Sequence, residues 1–458
     1  MKTAFSGFSY LWRSQDIRRK LIVSLIILVI FRLAANIPVP GINGAALKQL
    51  LASTSGSGSF FAFLDLLSGG TISRFSLLAM GVYPYITAQI ILQLLTPIFP
   101  ALQRKMEEDP REGRKWQEKW TYYLAVPMAL LSALGQINLF NSQYAQLAGS
   151  SGQVVPFGFT SALWLPSLTV LVSMIGGTMF AIWLGELISE YGIRGQGLSL
   201  IIFAGIVAKI PANFGALLAD KQHGWILLIA TIVIMVGVIY AIVYVQQGRR
   251  NVPVMYPGRR VGNRMSMPVK GTLPLMVNLA GMIPLIFASA ILQFPAIIAS
   301  YFVNSTNATV SKIASQTGTI FNGGSGIYYL LYFLMVVSFT FFYTDVLFTQ
   351  QNYGENLKKV GAQIPGVNRG TPTQKYLTKV QRRVTLPGAL FLGIIAVLPY
   401  LINLVLKAIG FGSSTSNNTL FLVTSAGLLI VVGVVRDTFL NIDAELKLHG
   451  YDDARLVK

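Results

Sequence analysis

The chain of 458 residues has no cysteine, two histidines and only 17 acidic residues. Without thiols, it forms no disulfide, thiolate nucleophile or Cys-ligated metal site. His223 and His449 lack partners at ligand spacing, and no Ser/His/Asp grouping or metal cluster occurs. Gly192–Gly197 (GIRGQG) superficially looks like a nucleotide loop, but it joins two apolar stretches rather than a strand and a helix. Charged residues make up 12% of the chain, against about 25% in soluble globular proteins. That excludes a large soluble domain, and the missing constellations leave a membrane-bound enzyme without a nucleophile, a base or metal ligands. No metal or other cofactor is expected.

Long apolar runs, by contrast, are plentiful. Ten of them divide the chain: Leu21–Ile37, Phe75–Pro97, Trp120–Leu139, Leu163–Leu184, Leu198–Leu218, Trp225–Val245, Leu273–Ile291, Ile327–Phe348, Leu386–Leu406 and Leu420–Val435. Each approaches the roughly 20 residues a helix needs to cross about 30 Å of hydrocarbon. In lipid the backbone must satisfy its own hydrogen bonds, so such segments are predicted to be helices. The expected fold is all-α, a polytopic membrane protein with ten transmembrane helices.

Charge placement orients it. Of the 36 Lys and Arg residues, 29 fall before the first stretch, after the last, or in every second loop between them. The positive-inside rule then puts both termini in the cytoplasm. Met1–Lys20 is too polar for a cleaved leader and Leu21–Ile37 lacks a small-residue cleavage site, so that stretch is expected to be kept as the first span.

Ten spans divide after the fifth, at the polar connection Ala219–Gly224. Five is odd, so two five-span halves enter the membrane from opposite sides and are expected to be inverted repeats. This rests on parity, because identity between the halves is not visible by eye. The expected organisation is a cytoplasmic segment 1–20, an N-terminal half 21–218, a hinge loop 219–224, a C-terminal half 225–435 and a cytoplasmic tail 436–458. Two cytoplasmic loops, 246–272 and 349–385, are long, basic and free of helical patterning, which suggests function.

Ionisable groups in mid-membrane cost about 2.5–3.5 kcal/mol each on insertion scales and mark ion-coupled transport. Few occur. Glu186, Glu190, Asp345, Arg436 and Asp437 lie at span ends, and Arg32 lies deepest. An ion-coupled secondary transporter with inverted repeats is therefore the weaker competing class. Helix-breaking content stands out instead. The second span carries Pro84, Thr87, Gln89 and Gln93; the seventh carries Pro274, Asn278, Gly281 and Pro284. A lumen or movable seam explains this, and so does ordinary polar and small-residue packing between helices; at this level the two readings are even.

Five segments carry a resemblance: Ile37–Gly41 (IPVPG), Gly69–Leu94 (GGTISRFSLLAMGVYPYITAQIILQL), Gly192–Pro211 (GIRGQGLSLIIFAGIVAKIP), Leu273–Ala288 (LPLMVNLAGMIPLIFA) and Asn356–Gly366 (NLKKVGAQIPG). They resemble the bacterial SecY family of protein-conducting channels, collinearly over nearly the whole chain. The resemblance implies a clamshell of two inverted halves around a central pore, hinged at 219–224. Secretory chains would pass through the centre, and membrane segments would leave sideways between the second and seventh spans. It places a pore ring on Val82, Ile86, Leu198, Ile202, Ile286 and Ile430. All six are aliphatic, and 82/86 and 198/202 share helical faces, so a collar of this kind excludes water by dewetting.

The resemblance also puts a plug at 60–72, including Phe60, Phe61, Leu64, Leu66 and Leu67, with flexibility at Gly69 and Gly70. It puts gate residues at Thr87, Gln93 and Asn278. The partners it implies are SecE-like and SecG-like membrane subunits, the SecA motor ATPase, the ribosome, and unfolded preproteins with their signal sequences, in a bacterial plasma membrane. Docking would use Arg249, Arg250, Arg259, Arg260, Arg264, Lys358, Lys359, Arg369 and Lys375, against RNA phosphates or an acidic protein surface. Relatives commonly read Pro-Gly-Ile-Arg-Pro-Gly where this chain has Pro365-Gly366-Val367-Asn368-Arg369-Gly370. The arginine has moved by one position and the second proline is missing.

Overall fold

The computed structural model describes residues 15–53, 71, 75–99, 102, 109–148, 154–158, 163–218, 224–257, 260–261, 264–265, 269–302, 307–321, 325–408 and 417–448. Apolar stretches that must bond their own backbone fold as helices. In chain order these are α1 (Gln15–Ala34), the short α2 (Gly44–Ser53), α3 (Tyr83–Ile98), α4 (Pro110–Ala148), α5 (Trp164–Tyr191), α6 (Gly197–Leu218) and α7 (Gly224–Gln247). Strands β1 (Arg249–Tyr256), β2 (Arg260–Val261), β3 (Arg264–Met265) and β4 (Val269–Met276) follow. Then come α8 (Ile283–Phe302), the amphipathic α9 (Ala308–Phe321), α10 (Gly326–Gln350), the short α11 (Tyr353–Lys359), α12 (Thr371–Ala408) and α13 (Asn417–Leu448).

Among the described residues, ten long helices (α1, α3–α8, α10, α12 and α13) lie over the ten apolar stretches. At 1.5 Å per residue, the 39 residues of α4 and 38 of α12 exceed the roughly 30 Å of hydrocarbon. Both helices begin inside a basic loop and carry it into the membrane-spanning part as one rod.

Packing sorts the ten into two groups of five. α1 and α3–α6 pack on one another, as do α7, α8, α10, α12 and α13. The groups meet along two seams: α6 against α7 and α13, and α8 against α3 and α4. Beside the first seam, polar contacts tie α1 and the α5–α6 turn to α13. Lys20 Nζ on α1 meets Glu445 Oε1 on α13 at 2.8 Å, and the Asn441 amide donates to the Arg194 carbonyl at 3.2 Å.

Two spans begin differently from expectation. The second stretch, Phe75–Pro97, becomes helical only at Tyr83: Phe75 (φ 43°) and Gly81 (φ 53°) take left-handed conformations, and turns run through to Val82. The seventh, Leu273–Ile291, starts as a strand, turns at Gly281 (φ 64°) and becomes helical at Ile283. The long sixth–seventh loop is not irregular. β1 and β4 form an antiparallel hairpin, Arg249 opposite Met276 through Tyr256 opposite Val269, and β2 pairs with β3 towards its tip.

Close helix approaches use glycine. A Cβ on Gly177 of α5 would overlap the Leu77 carbonyl at the root of α3. Gly177→Ala is expected to push the two segments apart at about 1–3 kcal/mol, the usual cost of overpacking. Thermal unfolding of the detergent-solubilised protein checks this; an unshifted melting temperature would show that the contact is not needed.

Candidate functional site

At the first seam, the side chains are mostly aliphatic, with Phe31 buried among them and Phe180 and Phe203 packed alongside. Val82, Ile202 and Ile430 are buried in one cluster with Leu78, Ile201, Ile206 and Val434, and Ile86, Leu198 and Met282 pack against it half-buried. Five of the six expected ring positions therefore converge, from the root of α3, from α3 itself, from α6 and from α13. The sixth, Ile286 on α8, is buried as well, at 3% exposure, but lies outside that cluster, one helical turn from Met282.

Sequence and backbone together explain the convergence. Val82 caps α3 at φ −94°, with Pro84 in the first turn where a missing N–H costs nothing. Ile86 follows one turn later on the same face. On α6, Leu198 and Ile202 are held close to α5, because Gly185 leaves room for Leu198: a Cβ there would come within 2.7 Å of Leu198 Cδ2.

The second seam is a separate apolar contact. Ile86, Ile90 and Leu94 of α3 meet Ala280, Ile283 and Phe287 at the start of α8, together with Phe339, Tyr343 and Leu347 of α10. Phe287 stacks on Phe339 with ring centroids 5.3 Å apart. The seam is closed. The expected gate residues lie along it in different states. Thr87 Oγ1 donates locally to the Pro84 carbonyl at 2.9 Å, and Gln93 is half-buried. Asn278 lies in the turn before α8, not in a helix; its amide donates to the Gly281 carbonyl at 3.2 Å, and its buried Oδ1 accepts no hydrogen bond among the described residues. Ile90, Phe287, Phe339 and Tyr343 were not singled out by sequence; the i,i+4 continuation of the 82/86 face through Ile90 and Leu94 was the available signal.

The two long loops fold onto each other. Val252, Val254 and Leu275 of the hairpin share a core with Phe348, Ala362, Ile364, Leu377, Val380 and Val384. Met255 and Gln363 exchange backbone hydrogen bonds at 2.8 and 2.9 Å. The root of α8 hangs from this body. Gln381, on α12, donates to the Met276 carbonyl at 3.1 Å, Val277 N–H donates to the Gly248 carbonyl at 2.9 Å, and a Cβ on Gly388 would lie 2.5 Å from the Val277 oxygen. Arg249, Arg250, Lys358, Lys359, Arg369 and Lys375 are all exposed on its outer surface. The departing segment Pro365–Gly370 turns through Gly366 (φ 80°) and Gly370 (φ 90°), and the Thr373 hydroxyl donates to the Asn368 carbonyl at 2.6 Å.

Arg260 and Arg264 fall on β2 and β3. Arg259, hinge residues 219–223 and the plug positions Phe60, Phe61, Leu64, Leu66, Leu67, Gly69 and Gly70 lie outside the described residues.

This is the architecture of a multi-pass helical membrane channel, with two groups of five helices that meet at an apolar cluster and one further apolar seam. The SecY family model matches residues 76–439. A Streptomyces galbus protein translocase subunit SecY is 34% identical over 455 residues, 98% of this chain and 99% of its own. That of Aquifex aeolicus is 38% identical over 440 residues, 95% of this chain and 96% of its own. Among solved structures, one described as the structure of a protein conducting channel aligns at TM-score 0.59 and 18% identity, over 93% of this chain and 92% of that one. Sec61 in a canine ribosome–channel complex aligns at TM-score 0.56 and 19% identity, with the same coverage. The chain belongs to the SecY family. It is a protein-conducting translocation channel, and the ion-coupled transporter reading falls.

The tie at Gln381 is testable. Gln381→Leu removes the side-chain donor to the Met276 carbonyl, a bond worth about 0.5–1.5 kcal/mol. The hairpin is then expected to be cut faster by protease than in the parent; an equal cutting rate would show that backbone pairing alone holds it.

Proposed function

We propose that Val82, Ile86, Leu198, Ile202, Ile286 and Ile430 form the constriction that secretory polypeptides thread, and that the α3–α8 seam is the lateral gate through which membrane segments leave. The observation that carries this is the convergence of five of the six positions in one apolar cluster where the two groups of helices meet. Aliphatic side chains offer an ion no ligand and hold no water in a narrow passage, yet they yield around a chain of any sequence. The halves 21–218 and 225–435 would move as bodies about the hinge at 219–224, with the segment 60–72 as plug.

At the seam, Thr87, Gln93 and Asn278 serve as polar gate residues. A buried acceptor that is unpaired in the closed state, such as Asn278 Oδ1, gains a partner when opening admits water or an incoming helix, so it lowers the cost of opening. The chain carries out no catalytic step of its own in this reading; the driving energy comes from a docked motor or ribosome, or from the proton-motive force. SecA and the ribosome would dock on the welded loops through the exposed cations together with Arg259, Arg260 and Arg264. SecE-like and SecG-like subunits would complete the assembly in a bacterial plasma membrane, with both termini in the cytoplasm as the basic loops require.

Ile86→Asn puts a hydrogen-bonding group into the collar and is expected to raise resting ion conductance in planar bilayers. Conductance equal to the parent's would remove Ile86 from the constriction. Arg249→Glu combined with Arg250→Glu is expected to weaken SecA or ribosome binding roughly tenfold at low salt, and less at high salt, because rim charges are screened over about 8–10 Å. Parent-like affinity at low salt would take the hairpin base out of the interface.

A further inference from the structure

The roots of the two gate helices repeat each other at an offset of 200 residues. Gly81-Val82-Tyr83-Pro84-Tyr85-Ile86-Thr87-Ala88-Gln89-Ile90 aligns without a gap on Gly281-Met282-Ile283-Pro284-Leu285-Ile286-Phe287-Ala288-Ser289-Ala290, with Gly, Pro, Ile and Ala shared at four of the ten positions. The backbone repeats as well. Gly81 and Gly281 both take a left-handed φ, 53° and 64°, and helix begins two residues later at Tyr83 and Ile283, each with proline next. Ala88 and Ala288 are both fully buried. Each segment opens the second helix of its group of five, as two-fold related halves require.

In that register Ile86 pairs with Ile286, both already assigned to the ring, while Val82 pairs with Met282, which is not. Packing agrees with the register. Met282 lies against the cluster that holds Val82, Ile86, Leu198, Ile202 and Ile430, and also against the core of the second group. It is half-buried, as Ile86 and Leu198 are. We infer that Met282 is a further residue of the constriction, the counterpart of Val82 contributed by the second half, and touches the translocating polypeptide.

The side chain suits the place. Methionine has three rotatable bonds and a polarisable sulfur, so it fills irregular gaps and re-packs at low cost. Directly before α8, it would close the collar on the side of the gate helix at rest and rearrange when a chain arrives.

The inference rests on the ring reading given above, and the test separates the two. The sequence has no native cysteine, so single-cysteine variants report one position each. Met282→Cys, Val82→Cys, Ile430→Cys and the lipid-side control Leu404→Cys, at 55% exposure, would be oxidised in membranes against an export intermediate arrested by a folded C-terminal domain and carrying one cysteine. Crosslinking at 282 within about twofold of that at 82 and 430, with 404 at background, is the expected result for side chains in one contact shell. Crosslinking at 82 and 430 with 282 at the level of 404 would overturn the inference and leave the ring standing. Background yield at 82 and 430 as well would overturn both. Resting conductance gives a second readout: Met282→Asn is expected to leak as Ile86→Asn does and Met282→Leu is not, whereas equal, parent-like conductance in both Met282 variants would count against a place in the collar.

Discussion

Hydrocarbon forbids an unpaired backbone amide, and this one constraint shapes the whole molecule. It makes the apolar stretches helical over most of their length and confines irregular backbone to places that protein covers. The two long irregular entrances, Phe75–Val82 and Val277–Met282, obey it. Ser76 N–H donates to the Thr71 carbonyl, Leu77 N–H to Ile37, Val277 N–H to Gly248, and Thr71 Oγ1 to the Leu78 carbonyl at 2.7 Å. A chain that only spanned the membrane would need no such arrangement. Here the breaks shorten α3 and α8 and bring Val82 and Met282 to the centre, where full-length helices would have carried continuous rods past it.

The same breaks separate the centre from the seam. One turn beyond each proline, the side chains face a different neighbour. Ile86 belongs both to the central cluster and to the seam, while Ile90, Leu94 and Phe287 belong to the seam alone. The central cluster and the seam therefore share one residue of α3. In this geometry, a displacement of Ile86 disturbs the packing of both. Dispersion holds both in place, and dispersion contacts fail gradually as atoms separate, so neither surface needs a specific bond broken before it moves.

Much of this was legible in the residues. The ten helical stretches follow from length and apolarity, and five of the six positions that the family motifs pointed to share one apolar cluster. What sequence reading missed has physical reasons. Hydropathy alone reads Leu273–Met276 as the start of a span, because a strand of apolar and β-compatible residues has the same composition as the first turn of a membrane helix; only its partner, Arg249–Tyr256, reveals a hairpin. The repeat at 81–90 and 281–290 escaped because four shared residues are too few to catch the eye in an apolar sequence. They matter through conformation, since a left-handed glycine followed three residues later by proline fixes where each helix begins.

The hairpin also ties the basic surface to the root of α8. An unstructured loop would absorb a partner's push, since its backbone has nowhere to transmit it. A hairpin paired along eight residues, sharing a core with the base of α12 and fastened by Gln381 and Val277 at the root of α8, does not bend independently. Its eight-residue β4 ends only two residues before Asn278. Displacement of the outer cations must therefore either break the Gln381 and Gly248 bonds or carry the root of α8, and with it Met282 and the seam. Pulling hydrogen-bonded backbone out of a shared core is costly, so the hairpin, the base of α12 and the root of α8 form one packed body.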